Sequence, residues 1–288
     1  MHNGTEQKLE CALYVVATPI GNLRDISLRA LDVLGSVDVI AAEDTRNTAN
    51  LLAHHGISGP RLLSLHQHNE RKAAERIIGL MSQGQSVALV TDAGTPAISD
   101  PGMLLVQSVR ESGYKAIPVP GANAAMAALS VSGLDSTHFL FYGFLPNKST
   151  ARRRELQAII ELPYTLVFYE APHRIVECVE DLQSTFGGQR QIIFAREITK
   201  YFESIHICLL GDALGWLNTD LNNQRGEFVL LISGAPHKKE ELSAETRRIL
   251  TILLQELPLK KAVQLAVQIT GDSRNKLYQQ ALKISPPK

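Results

Sequence analysis

Three loops rich in small residues are the part of the sequence best suited to bind a ligand. They read TPIGN from Thr18, TDAGTP from Thr91 and PGANAA from Pro120, and each follows a predicted β-strand. In open α/β sheets ligands bind outside the carboxyl ends of the strands, so these loops should meet at one crevice. Small side chains let backbone N–H and C=O groups come close to a ligand. A single loop of this kind is most often an ordinary turn, but three at strand ends indicate a binding site.

Two absent motifs narrow the class of ligand. No two glycines are separated by a single residue, so the GxGxxG fingerprint of dinucleotide-binding proteins does not occur. No glycine precedes a lysine, which excludes a P-loop. A cofactor rich in phosphate is therefore not expected at these loops. A ligand of the adenosine or amino-acid kind, contacted by backbone groups and by an acid such as Asp92, is compatible with them.

A pair of histidines suggests a different kind of chemistry. His66 and His68 would share one face of a strand, and His-x-His is a familiar spacing of metal ligands. A metal-dependent hydrolase would need further ligands at strand ends, for which Glu43, Asp92 and His173 are the candidates. Two close histidines are more often surface groups or hydrogen-bonded groups, so the hydrolase is kept only as an alternative.

The elements that must position these residues alternate between short strands and helices, which is typical of α/β domains. The predicted strands are residues 12–17, 37–42, 62–65, 86–91 and 115–119, then 139–144, 165–169, 191–195, 204–209 and 227–233. We therefore predict an N-terminal α/β domain over residues 1–134 and a second α/β domain over 135–235. A helical region follows over 236–288. It starts with a charged linker at 237–241 and contains two helices across a tight turn, as in a helix-turn-helix.

Composition limits the class of protein. The 288 residues are 44% hydrophobic with a net charge of zero, so the chain can bury a core and is not a uniformly basic coat protein. Its three cysteines are far apart and odd in number, which favours a reducing, cytoplasmic compartment. No signal peptide is evident. The uncharged stretch 116–134 contains Pro and Gly residues, so it is predicted as strand, turn and helix rather than a membrane span.

Several longer strings resemble those of a known family. They are TPIGNL from Thr18, AEDTR from Ala42, DAGTP from Asp92 with SDPG from Ser99, FYEAPHR from Phe168 and ARE from Ala195. Over residues 13–282 the chain is similar to the ribosomal RNA small subunit methyltransferase I family, the RNA-modifying branch of the tetrapyrrole methylase superfamily. The resemblance implies two α/β domains with the cofactor between them and a homodimer. It also implies transfer of a methyl group from S-adenosyl-L-methionine to the ribose 2′-oxygen of a cytidine in the decoding region of 16S rRNA.

The resemblance further implies a set of cofactor-binding residues. These are Pro19 and Gly21 in the first loop, Asp92, Ala93, Gly94 and Thr95 in the second, Asn123 and Ala124 near the adenine, and Tyr169 and Glu170 in a segment that closes over the cofactor. The second loop reads Gly-Asp-Pro elsewhere in the superfamily, so the atoms that would contact methionine here are not fixed by the match.

Methyl transfer to a hydroxyl is a direct displacement, so positioning supplies much of the acceleration. A carboxylate or imidazole could help to remove the hydroxyl proton, and the candidates are Asp44, Asp100, Glu170 and His173. We prefer Asp44, with Arg46 positioning phosphate or substrate. Asp44 could equally cap the helix that starts at Thr45, and a mechanism without a dedicated base is just as compatible with the sequence.

Two basic clusters are candidates for RNA binding. One contains Lys148, Arg152, Arg153 and Arg154, and the other, in the C-terminal region, contains Lys260, Lys261, Arg274 and Lys276. Such clusters bind phosphate without sequence preference, although an isolated run of charge can also be a solvated helix face. A non-catalytic RNA-binding module and a methylase of porphyrin-like rings are further alternatives. The basic C-terminal helices argue against the second, because a tetrapyrrole substrate needs no phosphate contacts.

Overall fold

The computed structural model describes residues 9–236 and 242–284. Within these ranges the chain forms ten β-strands, eleven α-helices and three short 3-10 helices. The predicted linker at 237–241 and the basic residue Lys288 lie outside the described residues. The chain divides into two compact units, one that ends at Ala235 and one that starts at Pro236.

A parallel sheet forms the first half of the larger unit. Its strands are β1 (Leu13–Val16), β2 (Val39–Ala42), β3 (Arg61–Ser64), β4 (Val87–Val90) and β5 (Ala116–Val119), in the spatial order β3-β2-β4-β1-β5. The helices of this half are α1 (Leu28–Ser36), α2 (Thr45–His54), α3 (Glu70–Met81) and α4 (Met103–Glu111). Strands β2 and β4 are buried along their whole length, as expected for central strands of a parallel sheet covered on both faces.

A mixed sheet forms the second half. Its strands are β6 (Phe139–Phe144), β7 (Thr165–Glu170), β8 (Gln191–Arg196), β9 (Ser204–Leu209) and β10 (Phe228–Ile232), in the order β6-β7-β10-β8-β9. Strands β6 and β7 are parallel, and the other neighbours are antiparallel. The remaining helices of the larger unit are α5 (Ala124–Ser132), α6 (Ser149–Ala158), α7 (Ile175–Phe186) and α8 (Leu210–Thr219), with 3-10 helices at Leu23–Asp25, Pro172–Arg174 and Leu221–Gln224.

Helix α5 connects the two halves. It follows β5 in the chain, yet it buries Ala125, Ala128 and Leu129 against Val167 of β7 and Val229 of β10. Its sequence AAMAALSVS carries no charge, so the helix has no strongly polar face. Packing therefore groups α5 with the second sheet, and the division at residues 134 and 135 stays a prediction.

The α/β class and the two sets of strands are confirmed, and the predicted strands agree with the structure to within about two residues at each end. Helix α8, between β9 and β10, is not indicated by a clear pattern in the sequence. It contains Gly211 and Gly215, which lower helix propensity, and it begins directly where β9 ends, with no turn residues between them.

The smaller unit is a bundle of three helices: α9 (Ala244–Glu256), α10 (Leu259–Thr270) and α11 (Arg274–Ile284). Their core consists of aliphatic side chains, including Leu250, Val263, Ala266, Leu277 and Ala281. Gly271 ends α10 with a φ of +73°, the left-handed conformation that glycine adopts readily at a helix C-terminus. The predicted pair of helices across a tight turn is confirmed by α10 and α11.

No helix in the described ranges is long and apolar enough to cross a membrane. The uncharged stretch 116–134 forms β5, a turn and α5, as predicted.

Candidate active site

The three predicted ligand loops meet beyond the carboxyl ends of β1, β4 and β5. The Thr18 N–H donates to the Gly94 carbonyl at 2.9 Å, and the Gly94 N–H donates back to the Thr18 carbonyl at 3.1 Å. The Thr95 hydroxyl donates to the Ala122 carbonyl at 3.3 Å, which joins the second loop to the third. Gly94 has a φ of +83°, where a side chain would strain the backbone. The three loops thus form one continuous wall.

A cavity of about 280 Å³ lies between this wall and the second sheet. The wall contributes Ile20, Ala93, Gly94, Thr95, Ile98, Ser99, Asp100, Asn123 and Ala124, and the second half contributes Phe144, Tyr169, Glu170, Ala171, Pro172, Ala195, Glu197, Ile198, Lys200, Glu227, Phe228 and Val229. Seven of the ten predicted cofactor-binding residues line the cavity: Ala93, Gly94, Thr95, Asn123, Ala124, Tyr169 and Glu170. The lining combines apolar side chains, backbone of small residues and carboxylates, a composition typical of small-molecule sites.

Asp100 is the most perturbed acid of the cavity. Burial, helped by the negative charges of Glu43 and Asp92, raises the pKa of its carboxyl from 3.8 to about 7. Among the described residues, no side-chain cation or hydrogen-bond donor contacts this carboxyl. A bound cation would favour the ionised form and lower the pKa again, because opposite charges stabilise each other in a site shielded from water.

Glu170 and Tyr169 bring the end of β7 to the cavity. The buried Glu170 carboxylate accepts from the Ala171 N–H at 2.9 Å and lies 3.2 Å from Nε of Arg174. The Tyr169 hydroxyl accepts from the Ala125 N–H at 3.3 Å, so it contacts the first turn of α5. Burial raises the pKa of the Tyr169 hydroxyl above its usual value of 10, so it stays protonated. Both residues are fixed in place by these contacts.

Lys200 forms the opposite edge of the cavity. Its ammonium donates to Glu197 at 2.8 Å and to Glu227 at 2.7 Å, which holds two of the cavity carboxylates in ion pairs. Gly21 of the first loop packs directly against it, and a Cβ at Gly21 would overlap the Lys200 side chain and crowd the Thr199 hydroxyl. Gly21 is therefore required for close contact between the two halves, although it does not itself line the cavity.

The other two predicted cofactor residues outside the lining are Pro19 and Asp92. Pro19 is buried beside Ile20, which does face the cavity. The Asp92 carboxylate accepts from the Asn47 side chain at 3.0 Å and from the Asp44 N–H at 3.2 Å. These bonds connect the loop after β4 to the start of α2, and cofactor binding by Asp92 stays a prediction.

The structure places Asp44, the preferred general base, and Arg46, its partner in substrate positioning, away from the cavity, and their catalytic roles stay predictions. Neither residue lines the cavity. The Asp44 side chain caps α2 by accepting from the Arg46 N–H at 2.8 Å, and it pairs with the Arg46 guanidinium at 2.7 Å. Hydrogen bonds from Arg46 lower the pKa of Asp44 to about 2, which makes this carboxylate a weak proton acceptor.

One of the predicted RNA-binding residues is buried. Arg152 is 0% exposed, and its Nε lies 2.7 Å from the buried Asp181 carboxylate, so its prediction as a phosphate contact is wrong. The sequence analysis assigned the three consecutive arginines to one surface. In the structure they lie on helix α6, and consecutive residues of a helix point in different directions, so that Arg152 faces the core. Arg153 shares Asp181 as a partner but remains half exposed, while Lys148 and Arg154 are exposed.

The C-terminal basic residues lie mostly on the surface of the smaller unit. Lys260, Lys261 and Arg274 are exposed near the starts of α10 and α11. Lys276 is partly buried, and its ammonium lies 3.7 Å from the Asp272 carboxylate. These positions are compatible with phosphate binding, which stays a prediction.

The histidine pair lacks the surroundings of a metal site. His66 and His68 follow the end of β3 rather than lying in it, and their ring centroids are 5.9 Å apart. In the part of the chain that the structure describes, no three His, Cys, Asp or Glu side chains are grouped so that they could hold a metal. The further ligands that the hydrolase hypothesis needs are therefore not assembled there.

Three charged residues of the cavity were absent from the predicted site. They are Glu197, Lys200 and Glu227, which lie beside the ends of β8 and β10. The rule applied to the first three loops, that ligand groups lie at the carboxyl ends of strands, would have selected Glu197, which follows β8, but not Glu227, which precedes β10. Lys200 has no such signal, because only the tertiary contact with Gly21 brings it to the cavity.

Comparisons with known proteins agree with this geometry. Residues 12–214 match the family of Tetrapyrrole (Corrin/Porphyrin) Methylases, and residues 240–285 match the RsmI C-terminal HTH domain. The chain is 52% identical over 273 residues to Ribosomal RNA small subunit methyltransferase I of Pseudomonas aeruginosa, covering 94% of this chain and 96% of that protein. It is 51% identical over 266 residues to the protein of the same name from Xylella fastidiosa, covering 92% and 97%. Its fold is similar to that of uroporphyrin-III C-methyl transferase from Thermus thermophilus complexed with S-adenyl homocysteine, with a TM-score of 0.53, 18% identity and coverage of 76% and 96%.

Proposed function

Because the chain belongs to the tetrapyrrole methylase family, in its ribosomal RNA small subunit methyltransferase I branch, we propose that it methylates the ribose 2′-oxygen of a cytidine in the decoding region of 16S rRNA. The methyl donor is S-adenosyl-L-methionine. The relatives that carry this name are about half identical to the chain and are matched over nearly their full length. One observation in the structure supports the proposal best. The cavity combines the carboxyl of Asp100, which no protein cation contacts among the described residues, with the backbone of three loops of small residues.

The cavity suits the chemistry of this donor. S-adenosyl-L-methionine supplies an electrophilic methyl group on a positively charged sulfonium and also carries a protonated amine. Asp100 is the cavity acid without a protein cation among the described residues, so we assign it to the positive charge of the donor. Apolar side chains such as Ile20, Phe144 and Val229 offer surface for an adenine ring, and the loop backbones offer donors and acceptors.

We also propose that Asp100 accepts the proton of the attacking hydroxyl. A carboxylate at this position would be ionised while it faces the positive charge of the donor, and its pKa would rise once that charge is lost from the sulfur. At that moment the Asp100 carboxylate can accept the proton that the attacking ribose hydroxyl gives up. Asp44, with a pKa of about 2 and a place outside the cavity, has neither property. The remaining acceleration comes from holding oxygen, methyl carbon and sulfur in line.

The RNA is proposed to bind to basic surface on both units. Lys148, Arg153 and Arg154 supply charge at the start of α6, and Lys260, Lys261, Arg274 and Lys276 supply it in the C-terminal helices. We further propose a homodimer that acts in the cytoplasm on 16S rRNA within the 30S subunit, and the three-part division at residues 134 and 235. These proposals rest on the family resemblance.

The second candidate is methylation of a tetrapyrrole, because the fold is shared with an enzyme of that activity. That enzyme is only 18% identical to the chain and does not bear on its substrate. The test incubates the protein with labelled S-adenosyl-L-methionine and either 30S particles or a uroporphyrinogen. Label at the ribose of one cytidine of 16S rRNA is the expected result. Label transferred only to the uroporphyrinogen would refute the proposal.

A further inference from the structure

The segment between β8 and β9 is a rigid turn at the edge of the cavity. The Lys200 N–H donates to the Glu197 carbonyl at 3.0 Å, and the Glu203 N–H donates to the Lys200 carbonyl at 3.1 Å. The Glu203 carboxylate accepts from the Thr199 N–H at 2.6 Å. Glu197 and Thr199 have φ values of +51° and +67°, a conformation that non-glycine residues keep only when their surroundings hold it, and one that clusters at functional sites.

This turn presents two aromatic rings to solvent. Tyr201 is 93% exposed and Phe202 is 66% exposed, although large aromatic side chains are usually buried. Their ring centroids are 5.0 Å apart and the rings are perpendicular, so each ring supports the other. Both follow Lys200, whose side chain lines the cavity and is held by two glutamates. The rings therefore follow directly in the chain on a residue of the cavity, in a turn held by backbone hydrogen bonds.

We propose that Tyr201 and Phe202 form a stacking platform for an unpaired RNA base next to the methylated nucleotide. This inference rests on the proposed function, because it assumes an RNA substrate. For a ribose to reach the cavity, its nucleotide must leave the stack, and the flanking base loses a neighbour. Aromatic side chains on protein surfaces replace such neighbours and bind the faces of bases in single-stranded RNA. In the C-terminal basic cluster the aromatic residue Tyr278 follows Lys276 by two positions, but it is only 38% exposed, less than either ring of the turn.

The exposed rings of Tyr201 and Phe202 could instead contact another protein. Strand β9 carries exposed Ile205, Ile207 and Leu209 on one face, which is a more usual protein contact. Glu203 and Ser204 separate the rings from this aliphatic strip, and charged side chains lie on both sides of the rings. Because charged residues are depleted at the centre of protein interfaces, and because the rings follow directly on the cavity residue Lys200, RNA is the favoured occupant.

The test uses paired variants of the full-length protein. Tyr201→Leu with Phe202→Leu keeps apolar surface but removes both π faces, while Tyr201→Phe with Phe202→Tyr exchanges the rings and keeps them. Tyr164→Leu is the control, an exposed aromatic residue before β7 at the other end of the second sheet from the cavity. Each variant is assayed for S-adenosyl-L-methionine affinity by calorimetry, for kcat and KM with 30S particles, and for mass by sedimentation.

We expect the leucine pair to raise KM for 30S particles by roughly fivefold to a hundredfold, the range for loss of one stacked base, with unchanged donor affinity and mass. The ring exchange and Tyr164→Leu should behave as the wild type. Unchanged KM in the leucine pair overturns the proposal. A leucine pair of lower mass than the wild type also overturns it, because the rings would then contact a second copy of the chain.

A different result would identify failure of the proposed function itself. If the wild type methylates no RNA, the binding of a labelled single-stranded oligoribonucleotide, followed by fluorescence anisotropy, decides the stacking proposal separately. Weaker binding by the leucine pair than by the ring exchange would support the platform. Equal binding by the two variants would overturn it.

Discussion

Replacement of Asp100 by asparagine should weaken the binding of S-adenosyl-L-methionine and remove its dependence on pH. Asparagine keeps the shape of the side chain but cannot ionise. The pKa of Asp100 is about 7 in the free protein, so about half of the carboxyl groups are protonated at neutral pH. Because a cation binds the ionised form, the affinity of the wild type should rise about tenfold between pH 6 and pH 8.

The size of the effect follows from the same pKa. A rise from 3.8 to about 7 corresponds to roughly 4 kcal/mol of unfavourable ionisation energy in the free protein, as an upper bound. A bound cation offsets part of this energy, and the effect is smaller than this upper bound because Asp100 is only partly buried and solvent screens its charge. Since about 1.4 kcal/mol changes affinity tenfold, we expect Asp100→Asn to weaken binding by roughly tenfold to a hundredfold at pH 8.

Calorimetry at pH 6, 7 and 8 measures both quantities. At pH 7, binding to the wild type should release about half a proton, so the observed enthalpy should change with the ionisation enthalpy of the buffer. S-adenosylhomocysteine is the control ligand, because it keeps the amine and lacks the sulfonium charge. If Asp100→Asn affects both ligands equally, the carboxylate contacts the amine rather than the sulfonium. Wild-type affinity that stays constant from pH 6 to pH 8 would refute the reasoning.

The remaining predictions concern the loops, the helix cap, the buried arginine and the C-terminal unit. Gly94→Leu should abolish donor binding in calorimetry while the thermal transition survives, because the left-handed backbone is strained by any side chain and the leucine would occupy the cavity that Gly94 lines. Asp44→Asn should keep the single-turnover methylation rate within about twofold, since asparagine caps helices as well as aspartate, whereas a hundredfold loss would restore Asp44 as a base. Arg152→Ala should lower the free energy of unfolding in denaturant titrations by at most about 3–5 kcal/mol, because the buried Asp181 carboxylate loses its buried partner and keeps Arg153, while the exposed control Lys148→Ala should leave it unchanged. Truncation after Ala235 should preserve donor affinity and weaken rRNA binding. The slope of log affinity against log salt should become shallower by roughly 0.7–0.9 for each lost phosphate contact. An unchanged slope would exclude the C-terminal unit from RNA binding.

The wall of the cavity was predictable from the sequence because it is local. Gly94 and Asn123 each lie in a loop beyond a recognisable strand, and the parallel topology places all such loops at one edge of the sheet. The second side of the cavity depends on an antiparallel arrangement that no local pattern specifies. Lys200 is held at the cavity by Gly21 and Glu227, which are distant from it in sequence, and by Glu197, which lies in the same turn.

Arg152 and Asp44 show why residue type alone does not identify the groups that are available for chemistry. Asp44 and Arg152 were judged by residue type, and both are engaged by neighbours that satisfy their charge. Asp44 is used by the backbone and guanidinium of Arg46, and Arg152 by Asp181, which is 29 residues away in the chain. Residue type and spacing indicate which groups could do chemistry. The packing of a helix face decides which of them are available to do it.

The position of α5 has a consequence for how the chain folds during synthesis. The helix emerges soon after β5, but Ala125, Ala128 and Leu129 are covered by β7, β8 and β10, and β10 lies about 100 residues later in the chain. At roughly 5–20 residues per second, a ribosome needs about 5–20 s to produce that cover. During this interval the nascent first half carries an uncharged helix with no surface to pack against. Nascent chains that stop at the end of the first sheet should therefore bind chaperones, whereas chains that extend past Ile232 should be released from them.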